Sequence, residues 1–195
     1  MSEPSTASTP SESTVRRLWR VLWSPSVRFS LAGLLIVGGL AGVMLWGGFN
    51  WALELANTES FCISCHEMRT NYAELQNTIH YKNRSGVRAT CPDCHVPKEW
   101  IYKVMAKIEA TTDLYHHIMG SIDTPEEFEA KRAVLAQRVW TTMKETDSLA
   151  CRNCHSTDSM DPHKQSPASQ VMMLALKSGA TCIDCHKGIA HHLPK

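Results

Sequence analysis

Residues 181–194, TCIDCHKGIAHHLP, hold two cysteines three positions apart, with a histidine directly after the second. The same Cys-x-x-Cys-His unit occurs four times, and together the four units contain all eight cysteines of the chain. They are CISCH at 62–66, CPDCH at 91–95, CRNCH at 151–155 and CIDCH at 182–186. A repeat that uses every cysteine decides how this chain folds and what it holds.

Three chemistries use Cys-x-x-Cys pairs. Zinc sites usually divide their ligands between two knuckles and need no histidine after each pair. A thioredoxin-like disulfide needs one pair near a βαβ pattern, which this sequence lacks. Cys-x-x-Cys-His is the attachment signature of c-type haem, in which the thiols bond to the haem and the histidine ligates the iron. We therefore predict four covalent haem c groups, attached to Cys62, Cys65, Cys91, Cys94, Cys151, Cys154, Cys182 and Cys185, with His66, His95, His155 and His186 as proximal iron ligands.

A membrane anchor precedes the motifs. No charged residue occurs from Phe29 to Leu53, a length that can cross a bilayer as one helix. No convincing small-residue cleavage site follows, which favours an uncleaved anchor over a cleaved signal peptide. The arginines before the apolar stretch predict that this end stays in the cytoplasm and that the remainder lies in the periplasm. Covalent haem attachment in bacteria takes place outside the cytoplasmic membrane, so the two predictions agree. The predicted location is the bacterial inner membrane, with the lipid bilayer as a partner.

The chain thus divides into three predicted parts. Residues 1–14 are rich in Ser, Thr and Pro and are expected to be a disordered cytoplasmic tail, 15–53 form the basic flank and transmembrane anchor, and 54–195 form a periplasmic tetrahaem domain. The formal charge of +1 gives no indication of nucleic acid binding. Motif starts at 62, 91, 151 and 182 indicate two dihaem modules of similar spacing. The predicted fold is mainly α, with a small helical and loop-rich domain whose haems supply much of the core.

Apolar spacing and capping residues predict the helices of this domain. The clearest begins at TPEEFEA, where Thr124 is the N-cap, Pro125 takes the first helical position and Glu127 completes a capping box. It is expected to end near Lys144. Gly179 is expected to stop a shorter helix before the last motif. The predicted ranges of the others are 66–78, 98–119 and 169–177.

Four low-spin irons would each need a second ligand, and six histidines lie outside the motifs. They are His80, His116, His117, His163, His191 and His192. His80 is predicted to be one distal ligand, and either His191 or His192 another. Met68 lies two positions after His66 and competes with it for one face of the first haem. A methionine ligand would raise the potential of that haem relative to a second histidine.

Several longer stretches carry a family resemblance. GGFNWALELANTESFCISCHEMR, HYKNRSGVRATCPDCHVP, GSIDTPEEFEAKR and CIDCHKGIAHHLP resemble the NapC/NirT family of membrane-anchored tetrahaem cytochromes c, from about residue 16 to the end. The resemblance implies oxidation of a membrane quinol, menaquinol or ubiquinol, and electron transfer to a periplasmic reductase, with the nitrate reductase complex favoured. Alternatives are a nitrite, trimethylamine N-oxide or multiple-reductase partner, or a passive relay fed by another membrane subunit.

The resemblance also implies residue roles at the quinol end. Met68 matches a methionine that ligates the first haem, and Lys107 and Asp113 in KIEATTDLY match residues beside the quinol pocket. Quinol oxidation releases two protons, so a nearby carboxylate is a natural acceptor.

The resemblance carries over His80 and His191 as distal ligands, but the chain departs from the family at one position. Met172 stands where the family usually has a third distal histidine. Met172 is the favoured ligand there, with His163 as its substitute and the pair at 116–117 as a further alternative. A five-coordinate haem is also compatible with this departure.

Overall fold

A computed structural model describes residues 14–24 and 27–195, and every regular element in this part of the chain is a helix. The predicted tail lies outside the described residues apart from Thr14. Two short 3-10 turns span Thr157–Ser159 and Pro162–Lys164. The helices are α1 Thr14–Trp23, α2 Leu31–Leu55, α3 Glu59–Cys62, α4 Met68–Leu75, α5 Cys91–His95, α6 Trp100–Ile118, α7 Pro125–Glu145, α8 Leu149–Arg152, α9 Ala168–Lys177 and α10 Cys182–Cys185. The predicted mainly-α class is confirmed.

The long apolar helix α2 is the predicted anchor. It has 25 residues and a mean hydropathy of 1.9 in its most apolar window, so it is long and apolar enough to span a bilayer. The described chain separates into two compact units between Phe49 and Asn50. The predicted boundary was between Leu53 and Glu54, where the first charged residue follows the apolar run, so the observed division lies four residues earlier.

The second unit, Asn50–Lys195, buries few apolar side chains. Among the described residues, the buried hydrophobic ones are Leu75, Phe128, Ala150 and Ile183. A chain of this length normally builds one continuous apolar core between its packed elements. A core this sparse agrees with the sequence-based prediction of a domain built around large cofactors.

The predicted start of α7 is confirmed in detail. The Thr124 side-chain oxygen accepts the Glu127 N–H at 3.2 Å, and the Glu127 carboxylate accepts the Thr124 N–H at 3.2 Å. Pro125 takes the first helical position, where its missing N–H costs nothing. The helix ends at Glu145, one residue beyond the predicted end. Gly179, with φ of +94°, follows α9 as predicted.

Helix α4 is shorter than the range predicted for it. It spans Met68–Leu75, whereas the sequence-based prediction was 66–78, directly after the first motif. The Asn77 side chain donates to the Ala73 carbonyl at 2.9 Å, and the Thr78 hydroxyl donates to the Leu75 carbonyl at 2.8 Å. These side chains bind carbonyls that a continuing helix would offer to its own N–H groups. His80 therefore lies in a turn after the helix.

Candidate haem sites

The four Cys-x-x-Cys-His motifs form or adjoin the short helices α3, α5, α8 and α10. The second and fourth motifs share one local structure. The Thr90 N–H donates to the Asp93 carboxylate at 2.9 Å, and the Thr181 N–H donates to the Asp184 carboxylate at 2.9 Å. Each is a capping box that satisfies N–H groups at the start of the motif helix. The recurrence in the second motif of each pair agrees with a duplicated module.

The motifs adjoin one another in chain order. Helix α3 packs against α5, and α5 packs against α8. None of the eight cysteines forms a disulfide. Cys62 is close enough to Cys91 to interact with it electrostatically, and Cys151 is similarly close to both Cys94 and Cys182. Burial, followed by these neighbouring thiols, raises the pKa of Cys91 and of Cys94 to about 11. Neighbouring motifs are therefore adjacent all along the series.

Two predicted distal histidines face the proximal histidines of other motifs. The ring centroids of His80 and His155 are 6.3 Å apart, and those of His95 and His191 are 6.2 Å apart. An iron bonded on each side by an imidazole nitrogen at about 2 Å separates the ring centroids by roughly 6 Å. The His80 ring therefore lies opposite the proximal histidine of the third motif, and the His191 ring opposite that of the second.

These histidines are held in surroundings that favour the neutral imidazole. Desolvation is the larger cause that lowers the pKa of His95 to about 4, and the facing His191 is the smaller one. The His95 residue nevertheless keeps part of its surface exposed. Burial also lowers the pKa of His80 and of His191. The buried Nδ1 of His80 has no hydrogen-bond partner. A neutral ring keeps a nitrogen lone pair for a metal ion. Together with eight cysteines that form no disulfide and a sparse apolar core, these rings fit bound haem c.

The fourth motif is less complete. His186 follows α10 and is exposed, and its side chain has no ring contact in the described part of the chain. Met172 is half-buried on α9, which packs against the 3-10 turn that carries His163. Met172 and its proposed substitute His163 therefore lie on adjoining elements.

The first motif has an acidic neighbour that the sequence analysis missed. The Glu67 carboxylate lies 2.6 Å from Nδ1 of His117 and 3.5 Å from Nε2 of His66. The rings of His66 and His117 are 5.7 Å apart, and Asp123 lies 3.8 Å from His66. Met68, the first residue of α4, is 38% exposed. Its position between the predicted ligands His66 and Met68 could have marked Glu67 as a site residue. No local sequence pattern indicates its contact with His117.

Helix α6 runs beside the end of α2. Lys107 is half-buried, and desolvation lowers its pKa, while the nearby Cys62 acts in the opposite direction. Three side chains of α6 make the contacts: Trp100 Nε1 donates to Asn50 Oδ1 at 3.2 Å, Lys103 pairs with Glu54, and Lys107 Nζ donates to the Ala56 carbonyl at 2.6 Å. Lys107 is thus placed between the end of the anchor helix and the first motif.

Asp113 is not brought to the same place. It lies six residues after Lys107, about 9 Å further along α6 and on another side of the helix. Its carboxylate is exposed and lies 3.5 Å from Nη1 of Arg138. The two residues that the resemblance places beside the quinol pocket therefore lie on different sides of α6, about 9 Å apart along its axis.

A buried ion pair supports the loop that carries His191. Arg132 Nη2 donates to Glu74 Oε1 at 2.7 Å, and its Nη1 donates to Glu74 Oε2 at 3.0 Å. The His192 N–H donates to the same carboxylate at 2.9 Å, and its carbonyl accepts from Arg132 at 3.3 Å. Neither Arg132 nor Glu74 has a role that the sequence predicts, because no local pattern marks a pair 58 positions apart.

The anchor helix and the linked motifs define a membrane-anchored multihaem c-type cytochrome. The profile of the NapC/NirT cytochrome c family, N-terminal region, matches residues 24–195, and the chain belongs to this family. It is 58% identical to the denitrification system component NirT of Stutzerimonas stutzeri over 90% of this chain and 88% of that protein. It is 54% identical to the cytochrome c-type protein NapC of Escherichia coli K12, over 92% of this chain and 90% of that protein.

A longer relative matches over only part of its length. The cytochrome c-type protein TorC of Escherichia coli K12 is 47% identical over 92% of this chain but only 47% of its own length. No solved structure matches the chain. Family membership agrees with covalently bound haem c and with electron relay to periplasmic reductases.

Proposed function

We propose that this chain oxidises membrane quinol and relays the electrons through four covalent haem c groups to a periplasmic reductase, nitrate reductase first among the candidates. The observation that carries the proposal is the serial contact of the four motifs, with histidines of each predicted module facing motifs of the other. Electron tunnelling weakens steeply with distance, so a relay needs each redox group beside the next. Bound haem supplies the one-electron chemistry.

The proposed quinol site lies at Lys107. Its partly desolvated ammonium is held by the Ala56 carbonyl, next to the end of α2 and near Cys62 of the first motif. A cation there can orient a quinol oxygen and favour its ionised form. Asp113 is the proposed proton acceptor. It lies further along α6 and is exposed, so protons could pass from it to water.

The proposed ligand set takes Met68 and Met172 from the sequence, and the places of His80 and His191 from the ring distances. Met68 serves the first motif, and His191 and His80 serve the second and third motifs. Met172 serves the fourth, with His163 as its substitute. The proposed topology places the domain after α2 on the periplasmic side of the bacterial inner membrane, because Arg16, Arg17, Arg20 and Arg28 precede α2.

The test follows the haem α-band of the oxidised, detergent-solubilised protein mixed anaerobically with menaquinol or ubiquinol analogues. We expect rapid reduction that is slowed about a hundredfold or more in Lys107→Ala and in Asp113→Asn. Lys177→Ala, in the last turn of α9, is the control and should reduce at the normal rate. Failure of both quinols, with normal reduction by dithionite, would exclude quinol oxidation and favour a passive relay fed by another subunit.

The reductase partner is tested separately. Quinol-reduced protein is mixed with purified periplasmic nitrate, nitrite or trimethylamine N-oxide reductase, and reoxidation of the haems is followed with each substrate. We expect the fastest turnover with nitrate reductase. Comparable rates with all three would favour the multiple-reductase alternative.

A further inference from the structure

Helix α1 carries exposed apolar side chains and arginines that have no role in the proposed electron relay. Val15, Trp19 and Trp23 recur at every fourth position, so they share one side of the helix. They are 75%, 64% and 74% exposed, and the two indole rings contact each other with centroids 5.5 Å apart. An exposed apolar stripe of this kind marks a surface that binds something.

The chemistry beside the stripe is cationic. Arg16 and Arg20 flank the stripe and Arg17 lies on the opposite side of the helix, and residues 13–53 contain no aspartate or glutamate. A shallow groove along the helix is lined by Val15, Arg16, Trp19, Arg20, Trp23 and Ser24. Indole and guanidinium groups that border one concave surface match the boundary between phosphate headgroups and acyl chains in a bilayer.

The position of α1 in the chain limits what can cover it. Trp23 ends α1, and α2 begins eight positions later at Leu31. A chain of that length spans at most roughly 30 Å, so α1 stays close to the leaflet in which α2 begins. This tether keeps the local concentration of membrane surface high. A ten-residue helix is also shorter than the roughly 12–15 residues that isolated helices need in water. A covering surface would supply the missing stabilisation.

We propose that α1 is an interfacial membrane helix that recognises anionic phospholipid. Val15, Trp19 and Trp23 face the acyl chains, and Arg16, Arg17 and Arg20 contact lipid phosphates. The inference goes beyond the electron relay and does not depend on the haems.

The test is amide hydrogen exchange on the full-length, haem-loaded protein in nanodiscs that hold one copy each. One set contains phosphatidylcholine alone, and the other contains about a quarter phosphatidylglycerol. We expect the amides of 14–23 to exchange at least about tenfold more slowly in the anionic discs. The triple variant Arg16→Gln, Arg17→Gln, Arg20→Gln should remove that difference. Amides of α2 report the anchor in every sample and should be protected throughout.

A matched variant separates the apolar face from the charge. The exchange Trp19→Arg with Arg20→Trp keeps composition and charge but places an arginine within the apolar stripe. It should lose the protection in anionic discs. Unchanged protection in this variant would overturn the proposed face. Equal protection of the native helix in both lipids would overturn the recognition of anionic lipid, and fast exchange in both would overturn the interfacial position.

Discussion

His80 and His155 are expected to ligate one iron, because their rings lie 6.3 Å apart although 75 positions separate them. His80→Met should raise the midpoint potential of one haem by on the order of 100 mV, since a methionine ligand favours the reduced iron relative to a second histidine. Potentiometric titration of the α-band would measure this shift. His192→Met is the control, because that side chain is 81% exposed and should leave all midpoints unchanged.

The pairing itself is tested by a second variant. His155→Met should alter the same titration component as His80→Met, because both changes act on the same iron. Changes in two different components would show that His80 and His155 serve different haems.

Arg132 is expected to hold His191 in place through its neighbour His192. Arg132→Met leaves the buried Glu74 carboxylate without its partner, and breaking such a pair from one side costs about 3–5 kcal/mol. The loop should loosen, so the haem between His95 and His191 should become partly high-spin. Denaturant unfolding gives the stability change, and electron paramagnetic resonance of the oxidised protein gives the spin state.

Arg138→Met is the matched control on the same helix. Arg138 pairs with Asp113 at 3.5 Å with both side chains more than half exposed, and such surface pairs contribute about 0–1 kcal/mol. Removing Arg138 could also change quinol oxidation, because its partner Asp113 belongs to the proposed quinol site. The control therefore compares only stability and spin state. A low-spin spectrum in Arg132→Met would contradict the positioning role, whatever the loss of stability.

At the scale of elements, Ser148 joins the third and fourth motif helices. It is fully buried, and its hydroxyl oxygen accepts the Ile183 N–H of α10 at 3.2 Å. Ser148→Ala leaves this N–H unsatisfied, so we expect a loss of about 1–3 kcal/mol in the free energy of unfolding. Ser178→Ala, which removes an exposed hydroxyl from the end of α9, should change stability by less than about 0.5 kcal/mol.

Ser148 also has a left-handed backbone, with φ of 51°. Ser148→Gly removes the same hydroxyl but relieves the backbone, so it should be less damaging than Ser148→Ala. Equal stabilities for the native protein and Ser148→Ala would show that the contact with Ile183 contributes nothing.

The elements also show how far sequence reasoning reached. Capping chemistry located α7 because Thr124 and Glu127 satisfy N–H groups a few residues away, and such local patterns are visible in the sequence. The end of α4 was missed because Asn77 and Thr78 compete for carbonyls, which periodicity does not register. The motifs predicted haem attachment, but the partners of His80 and His191 depend on packing between distant segments.

For the whole molecule, the haems are expected to be part of the folding reaction. The unit after Asn50 buries four apolar side chains among its described residues, too few to offset the conformational entropy lost by so many ordered residues. Groups that bind only the folded state contribute their binding free energy to its stability. Chain produced without haem attachment should therefore show no cooperative unfolding transition beyond residue 50, while α2 stays helical in detergent.

Amide hydrogen exchange on the haem-free and haem-loaded proteins in the same detergent would measure this. Protection should persist within 31–55 in both samples and should be lost beyond residue 62 in the haem-free sample. Cys182→Ser with Cys185→Ser removes the fourth attachment alone and gives a graded comparison. It should expose α10 and the part of α7 that packs against it, while the first two motifs stay protected. A haem-free chain with native-like protection throughout would show that the helices fold without the cofactors, and the sparse core would then need another explanation.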